Sequence, residues 1–241
     1  MLGYTPLHSA ADEGHADVAR LLIEHGAIVD LPTDNRATAL HGAAIHSHDD
    51  VVRVLTANGA DVNRTSKTTT ALILAVTSSD PDTVRTLIEA GANVNLQDPR
   101  GHSPLEAVIV ERMRSDPFDE RQRAADRQKM RLLIAAGADI TVRGKTGATL
   151  LHTAAASDRD DLAEVLIESG ADVDARDAAR WTPLHVAAER RHSAVAELLL
   201  DNGADVNARA GGRTPLNLVW GDPALRLLLQ RHGGREVGEL Q

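Results

Sequence analysis

Residues 181–207 read WTPLHVAAERRHSAVAELLLDNGADVN, and this stretch decides the fold. Thr182 precedes Pro183, and proline suits the first turn of a helix because its missing N–H is unpaired there anyway. The spacing predicts one short helix over Pro183 to Arg190. A second, over Ser193 to Asn202, carries Val195, Leu198, Leu199 and Leu200 on its apolar face. Gly203 then stops it, because glycine accepts the left-handed backbone that closes a helix. Asp205-Val206-Asn207 leads out into an extended hairpin arm.

The same text recurs. Thr-Pro-Leu-His or a variant starts at Thr5, Thr38, Thr70, Ser103, Thr149, Thr182 and Thr214. Gly-Ala-Asp-Val-Asn or a variant starts at Gly26, Gly59, Gly91, Gly137, Gly170 and Gly203, with a degraded copy near Gly233. The steps between successive glycines are 33, 32, 46, 33 and 33 residues, so one copy carries 13 extra. A single helix pair cannot bury both of its apolar faces, so copies must stack, and about three are needed for stability.

These residues resemble the ankyrin repeat, over residues 3 to about 232. The resemblance implies an all-α fold with short β-hairpin fingers, an ankyrin-repeat solenoid of stacked helix-turn-helix units. It implies one domain over 1–232, with repeats at about 1–30, 31–63, 64–95, 96–141, 142–174, 175–207 and 208–232, followed by a mobile C-terminal tail over 233–241. It also implies that Thr5/His8, Thr38/His41, Thr149/His152 and Thr182/His185 hydrogen-bond within the pair and to a neighbouring loop. Ile73, Glu106 and Asn217 depart from the pattern, so those three joints are expected to be less tightly tied.

Composition agrees and excludes much. Apolar residues make up 42% and aromatic residues 2% of the 241, which suits thin layers of Leu, Val, Ile and Ala rather than an aromatic-filled sandwich. Without cysteine there is no disulfide, thiolate zinc site or cysteine nucleophile. The N-terminus lacks a secretory signal pattern and no apolar run is long enough to span a membrane, so a soluble cytoplasmic monomer is expected. A formal net charge of −9 argues against broad nucleic-acid binding. His41, His46 and His48 are close in sequence, but the repeat plan accounts for each. No phosphate loop, serine elbow or paired-carboxylate pattern is present. Neither catalysis nor a metal or cofactor is expected, and Asp158, Asp160, Asp161 and Glu164 are read as helix-start acids favoured by the helix dipole.

Binding is expected instead, through the concave groove and the fingers. The fingers carry ten basic residues, Arg36, Arg64, Lys67, Arg100, Arg143, Lys145, Arg176, Arg180, Arg209 and Arg213, against five aspartates, a net of +5 in an acidic chain. That edge suits a protein partner with an acidic surface. In the family the residue before each anchor Thr faces the groove, which marks Tyr4, His102, Trp181 and Arg213. The ends of the first helices mark Ile45, His46, Glu189 and Arg190. Trp, Tyr and Arg are frequent binding hot spots. The insertion, residues 111–123, is expected to break at Asp116-Pro117 and resume as a long helix from Asp119 to Ala136, with Phe118 at its tip as a contact or a pin. The functional expectation is a protein-binding scaffold or inhibitor; the alternative is a targeting module within a longer enzyme or membrane-associated protein.

Overall fold

The computed structural model describes residues 3–78, 80–110 and 119–239. The chain divides into two compact units, residues 1–138 and 139–241. The first contains α1 (Pro6–Asp12) and α2 (Ala16–Glu24), α3 (Ala39–Ile45) and α4 (Asp49–Ala57), α5 (Ala71–Thr77) and α6 (Pro81–Glu89), and α7 (Pro104–Val110) and α8 (Glu120–Ala135). The second contains α9 (Leu150–Ala156) and α10 (Asp160–Glu168), α11 (Pro183–Arg190) and α12 (Ser193–Asp201), and α13 (Pro215–Leu218) and α14 (Pro223–Arg231), with a 3-10 turn at Val237–Glu239.

Within each unit the first helix of a pair packs on the first helix of the next, and second helices pack on second helices. The packed faces are Leu, Val and Ala: Leu7, Ala11, Leu40, Ala44, Leu72 and Val76 are buried in one unit, Leu151, Ala155, Leu184 and Ala188 in the other. Alanine at the contact lets helix axes approach closely. The glycines that end the second helices hold φ between 84° and 93°, the left-handed cap expected from the sequence.

Hydrogen bonds between repeats tie the second-helix ends together. The Asp61 amide donates to Asp30, Asn93 to Asn63, and Asp205 to Asp174, at 2.9, 2.7 and 2.9 Å. The fingers are turns rather than paired strands. Among the described residues only isolated antiparallel bridges occur, Thr65 with Thr70, Arg143 with Thr149 and Ala210 with Arg213.

At four joints the bond within the anchor forms as the family resemblance implies. At two of them, His152 and His185, the bond to the neighbouring finger forms as well, whereas Nε2 of His8 and His41 is buried without a hydrogen-bond partner among the described residues. The amides of Thr5, Thr38, Thr149 and Thr182 each donate to Nδ1 of the histidine three residues on, at 3.2 Å. Since Nδ1 accepts, the proton sits on Nε2, and in two of the four it reaches the next finger: His152 donates to the Trp181 carbonyl at 2.9 Å and His185 to that of Arg213 at 3.4 Å. Thr70 and Ser103 cap their helices in one direction only, accepting from Ile73 and Glu106 at 3.2 Å.

Two expectations fail at the last repeat. Asn217 replaces the histidine in full, its Oδ1 accepting from the amides of Thr214 at 3.0 Å and Val237 at 3.2 Å. The segment after Gly233, expected to be mobile, is tied down. Thr214 Oγ1 donates to the Arg235 carbonyl, the Arg235 amide donates to Asn207, and Arg226 pairs with Glu236. An amide side chain offers the same acceptor as an imidazole, and the returning tail supplies a donor that the next finger would not.

The long helix after the insertion forms, with Asp119 capping the amides of Arg121 and Gln122. It has 16 residues where the other second helices have nine. Lys129 on this helix is buried. Its ammonium donates to the carbonyls of Val76 (2.7 Å) and Ser78 (2.5 Å) at the end of α5 and lies 2.9 Å from Asp126 Oδ1. Gln122 Nε2 donates to the same carboxylate oxygen at 2.9 Å. In the second unit Arg159 grips Asp161 through two bonds of 2.8 and 2.9 Å with both side chains buried. Asp161 is therefore half of a buried ion pair, beyond the helix-start role expected from the sequence.

Candidate functional site

The candidate residues separate into two groups, one in each unit. In residues 139–241, the finger turn from Asp177 to Trp181 closes through the Asp177 amide to the Trp181 carbonyl (3.0 Å) and the Arg180 amide to the Asp177 carbonyl (2.9 Å). Arg180 is exposed at the tip with φ 64°. Trp181 is half-buried, its ring tilted against His185 at 6.0 Å between centroids, and its amide donates to Asp177 Oδ1 at 2.8 Å. Lys145 and Arg213 are exposed, and Glu189 and Arg190 are exposed at the end of α11. Arg143 has a structural duty that the sequence did not disclose, since its guanidinium donates to the carbonyls of Gly147 (2.8 Å) and Arg176 (2.9 Å) and so splices two fingers. Arg176 repeats the device, donating to the Arg209 carbonyl at 3.0 Å. Two of the ten basic finger residues are thus committed to the scaffold. Trp220, 79% exposed at the end of the shortened first helix of the last repeat, is an apolar surface that sequence reasoning passed over.

In residues 1–138, Tyr4 and Ile45 are brought together. Both are about half exposed, and both line a depression of 380 Å³. The other walls are His8, Asp12, Thr38, His41, Gly42 and Leu74, and the finger residues Thr33, Asp34, Asn35 and Ala37. Small-ligand and side-chain pockets run from about 300 to 1,000 Å³, so this one has useful size. The finger folds over it because the Thr33 amide donates to the Ala37 carbonyl (2.8 Å) and the Arg36 amide to the Thr33 carbonyl (2.7 Å). Tyr4 Oη donates to Asp12 Oδ2 at 2.6 Å, and its ring stacks on His8 at 5.4 Å. The hydrogen bond to that carboxylate pushes the tyrosine pKa up to about 12. His46 is exposed next to Ile45, its ring 5.9 Å from that of His48, but it does not line the depression.

Burial sets the charge of the framework histidines. Removal from water pushes His41 down to about 4 and lowers His8, His152 and His185 from the ordinary 6.5. At neutral pH they are uncharged, so His8 and His41 add no positive charge to the depression. His48 and its counterpart His192 hold neighbouring repeats: His48 Nε2 donates to the Asp12 carbonyl at 2.9 Å and His192 Nδ1 to that of Ala155 at 2.8 Å. Among the described residues no group of three or more His, Asp or Glu side chains converges as a metal site, and no helix is long and apolar enough to cross a membrane.

His102 is half-buried, its Nδ1 3.5 Å from Asp98, apart from the depression. Phe118 lies outside the described residues.

The family model described as ankyrin repeats (3 copies) matches residues 2–66, 35–98 and 122–210. Among solved structures, the human ASB11 ankyrin repeat domain is similar over 96% of this chain and 99% of that one, with 30% identity and a TM-score of 0.79. The ankyrin repeat domain of Bcl-3, described as a unique member of the IkappaB protein family, is similar over 95% and 99%, with 25% identity and the same TM-score. No curated protein matches the sequence.

Proposed function

The chain belongs to the ankyrin repeat family, and from that membership we propose that it is a non-catalytic scaffold or inhibitor whose protein partner docks on the faces formed by fingers and first helices. Ankyrin repeat domains are generally protein-protein interaction modules. The observation that carries the reading is the depression in which the exposed Tyr4 ring and Ile45 meet a finger and three first helices, α1, α3 and α5. Exposed apolar side chains grouped around a depression mark interaction sites where scattered ones do not, and aromatic anchors set in a pocket supply much of the energy at interfaces. In the second unit the exposed Lys145, Arg180 and Arg213 beside half-buried Trp181 support capture of an acidic part of the partner, chiefly through its association rate.

Affinity capture with quantitative mass spectrometry tests this. Tyr4→Ala/Ile45→Ala and Trp181→Ala/Arg213→Ala are each expected to lower the recovery of co-purifying protein by at least about tenfold, the effect of losing one hot spot of about 1.4 kcal/mol or more. Unchanged recovery with both double variants rejects docking on these faces.

A further inference from the structure

The residue that follows each anchor position is Ser9, Gly42, Leu74, Ala107, Thr153, Val186 and Leu218 in the seven copies. Gly42 alone has no side chain, and it lines the depression. The vacancy is used. A Cβ on Gly42 would stand 1.8 Å from Asp12 Oδ1, so the Asp12 carboxylate lies over the bare backbone of α3 while Tyr4 Oη holds its other oxygen. Of the twelve lining residues two are aspartates and none is lysine or arginine. Asp12 lies at the first-helix end and Asp34 is exposed on the finger. The apolar part of the lining is the Tyr4 ring, Ala37, Ile45 and Leu74. Uncharged His8 and His41 leave the two negative charges uncompensated within the lining.

We infer that this depression accepts a segment of the partner in which a bulky apolar side chain is flanked by lysine or arginine. This inference rests on the protein-binding reading of the same face and specifies its ligand. The apolar side chain packs against Tyr4, Ile45 and Leu74 in the open volume of the depression, and the flanking cations meet Asp12 and Asp34. The sign of the lining is opposite to that of the exposed finger residues in the second unit, although Arg36 stands exposed on the same finger as Asp34, so the partner presents both charges. Gly42 lets the Asp12 carboxylate stand where it does, since a side chain at that position would displace it.

The test uses the full chain and fluorescein-labelled short peptides of Gly and Ser with a central Phe or Leu, flanked either by Lys or by Glu, read by anisotropy at about 0.15 M salt. Lys-flanked peptides are expected to bind at least about tenfold tighter than Glu-flanked ones and than a Lys-flanked peptide with a central Gly. Gly42→Leu, whose side chain would displace the Asp12 carboxylate and crowd the depression, is expected to weaken them by about tenfold or more, with a cooperative melt confirming that the variant is folded. Asp34→Lys, on an exposed turn where folding is not at stake, is expected to abolish the preference for lysine. Equal binding by Glu-flanked or central-Gly peptides, no effect of Gly42→Leu, or no binding up to about 1 mM overturns the inference. If peptides show no such preference while Tyr4→Ala/Ile45→Ala still abolishes capture of the natural partner, the protein-binding reading stands and only the basic ligand falls. If capture is also unchanged in both double variants, the protein-binding reading falls as well.

Discussion

Arg36 and Arg180 hold φ at 61° and 64°, in the turn position that Gly101 and Gly147 occupy in other fingers. A side chain there costs roughly 1–2 kcal/mol, of which glycine would return part after its greater unfolded-state entropy is subtracted. Arg180→Gly is therefore expected to stabilise the protein by about 0.5–1 kcal/mol, seen as a higher urea midpoint. A more stable variant that loses partner capture would mean the strained arginine is kept for binding. At Asn217 the expected sign is opposite. Asn217→Ala removes the acceptor for the Thr214 and Val237 amides, and should cost about 1–2 kcal/mol with faster hydrogen exchange at residues 235–237. At this scale the sequence was least informative. Thr-Pro-Leu-His is legible because donor and acceptor lie three residues apart in one helix turn. The tie from Arg143 to Arg176 depends on where another finger's carbonyl points, which no local pattern encodes. Gly42 is an absent side chain, visible only when the same position is compared across copies.

The helices, by contrast, were legible almost to their ends, because proline, threonine and glycine mark them and each lies within one repeat. The long helix α8 runs from Glu120 to Ala135 against an expected Asp119 to Ala136. What the sequence hid was how it is anchored. A lysine among Arg121, Arg123, Arg127 and Arg131 reads as one more solvated charge, yet Lys129 is 1% exposed. Its position follows from the end of α5, where Ser78 turns into extended backbone at ψ 171° instead of entering the left-handed cap used after α11. The ammonium takes the carbonyls that such a cap would have satisfied. Removing one member of a buried pair leaves the other charge stranded, so Lys129→Met should cost about 3–5 kcal/mol, whereas Lys129→Met/Asp126→Leu should recover much of that loss. Urea denaturation of the two variants checks the order. Equal losses would show that Asp126 contributes nothing through Lys129.

For the whole molecule, the four framework histidines act in one direction with pH. Their folded pKa values lie below the ordinary 6.5, so as pH falls the unfolded chain takes up protons first. Their contribution is complete above pH 6.5 and declines as pH drops, for His41 down to about 4. His41 alone should forfeit on the order of 3 kcal/mol across that window. His41→Asn, which copies the acceptor geometry of Asn217, should flatten the slope of stability against pH between 6.5 and 4. An unchanged slope would remove His41 from the acid response. Residues 139–241 hold three helix pairs with their own core, enough by the usual requirement of about three repeats, so that fragment alone is expected to show a helical circular dichroism spectrum and a cooperative melt. The bonds from Asp30 to Asp61, Asn63 to Asn93 and Asp174 to Asp205 join residues only about one repeat apart. Under tension, such short-span fasteners meet the load singly and in succession. Residues 139–241, pulled from their two ends, should pay out in a sawtooth whose teeth each release roughly 110 Å of slack, the stretched length of one 33-residue repeat.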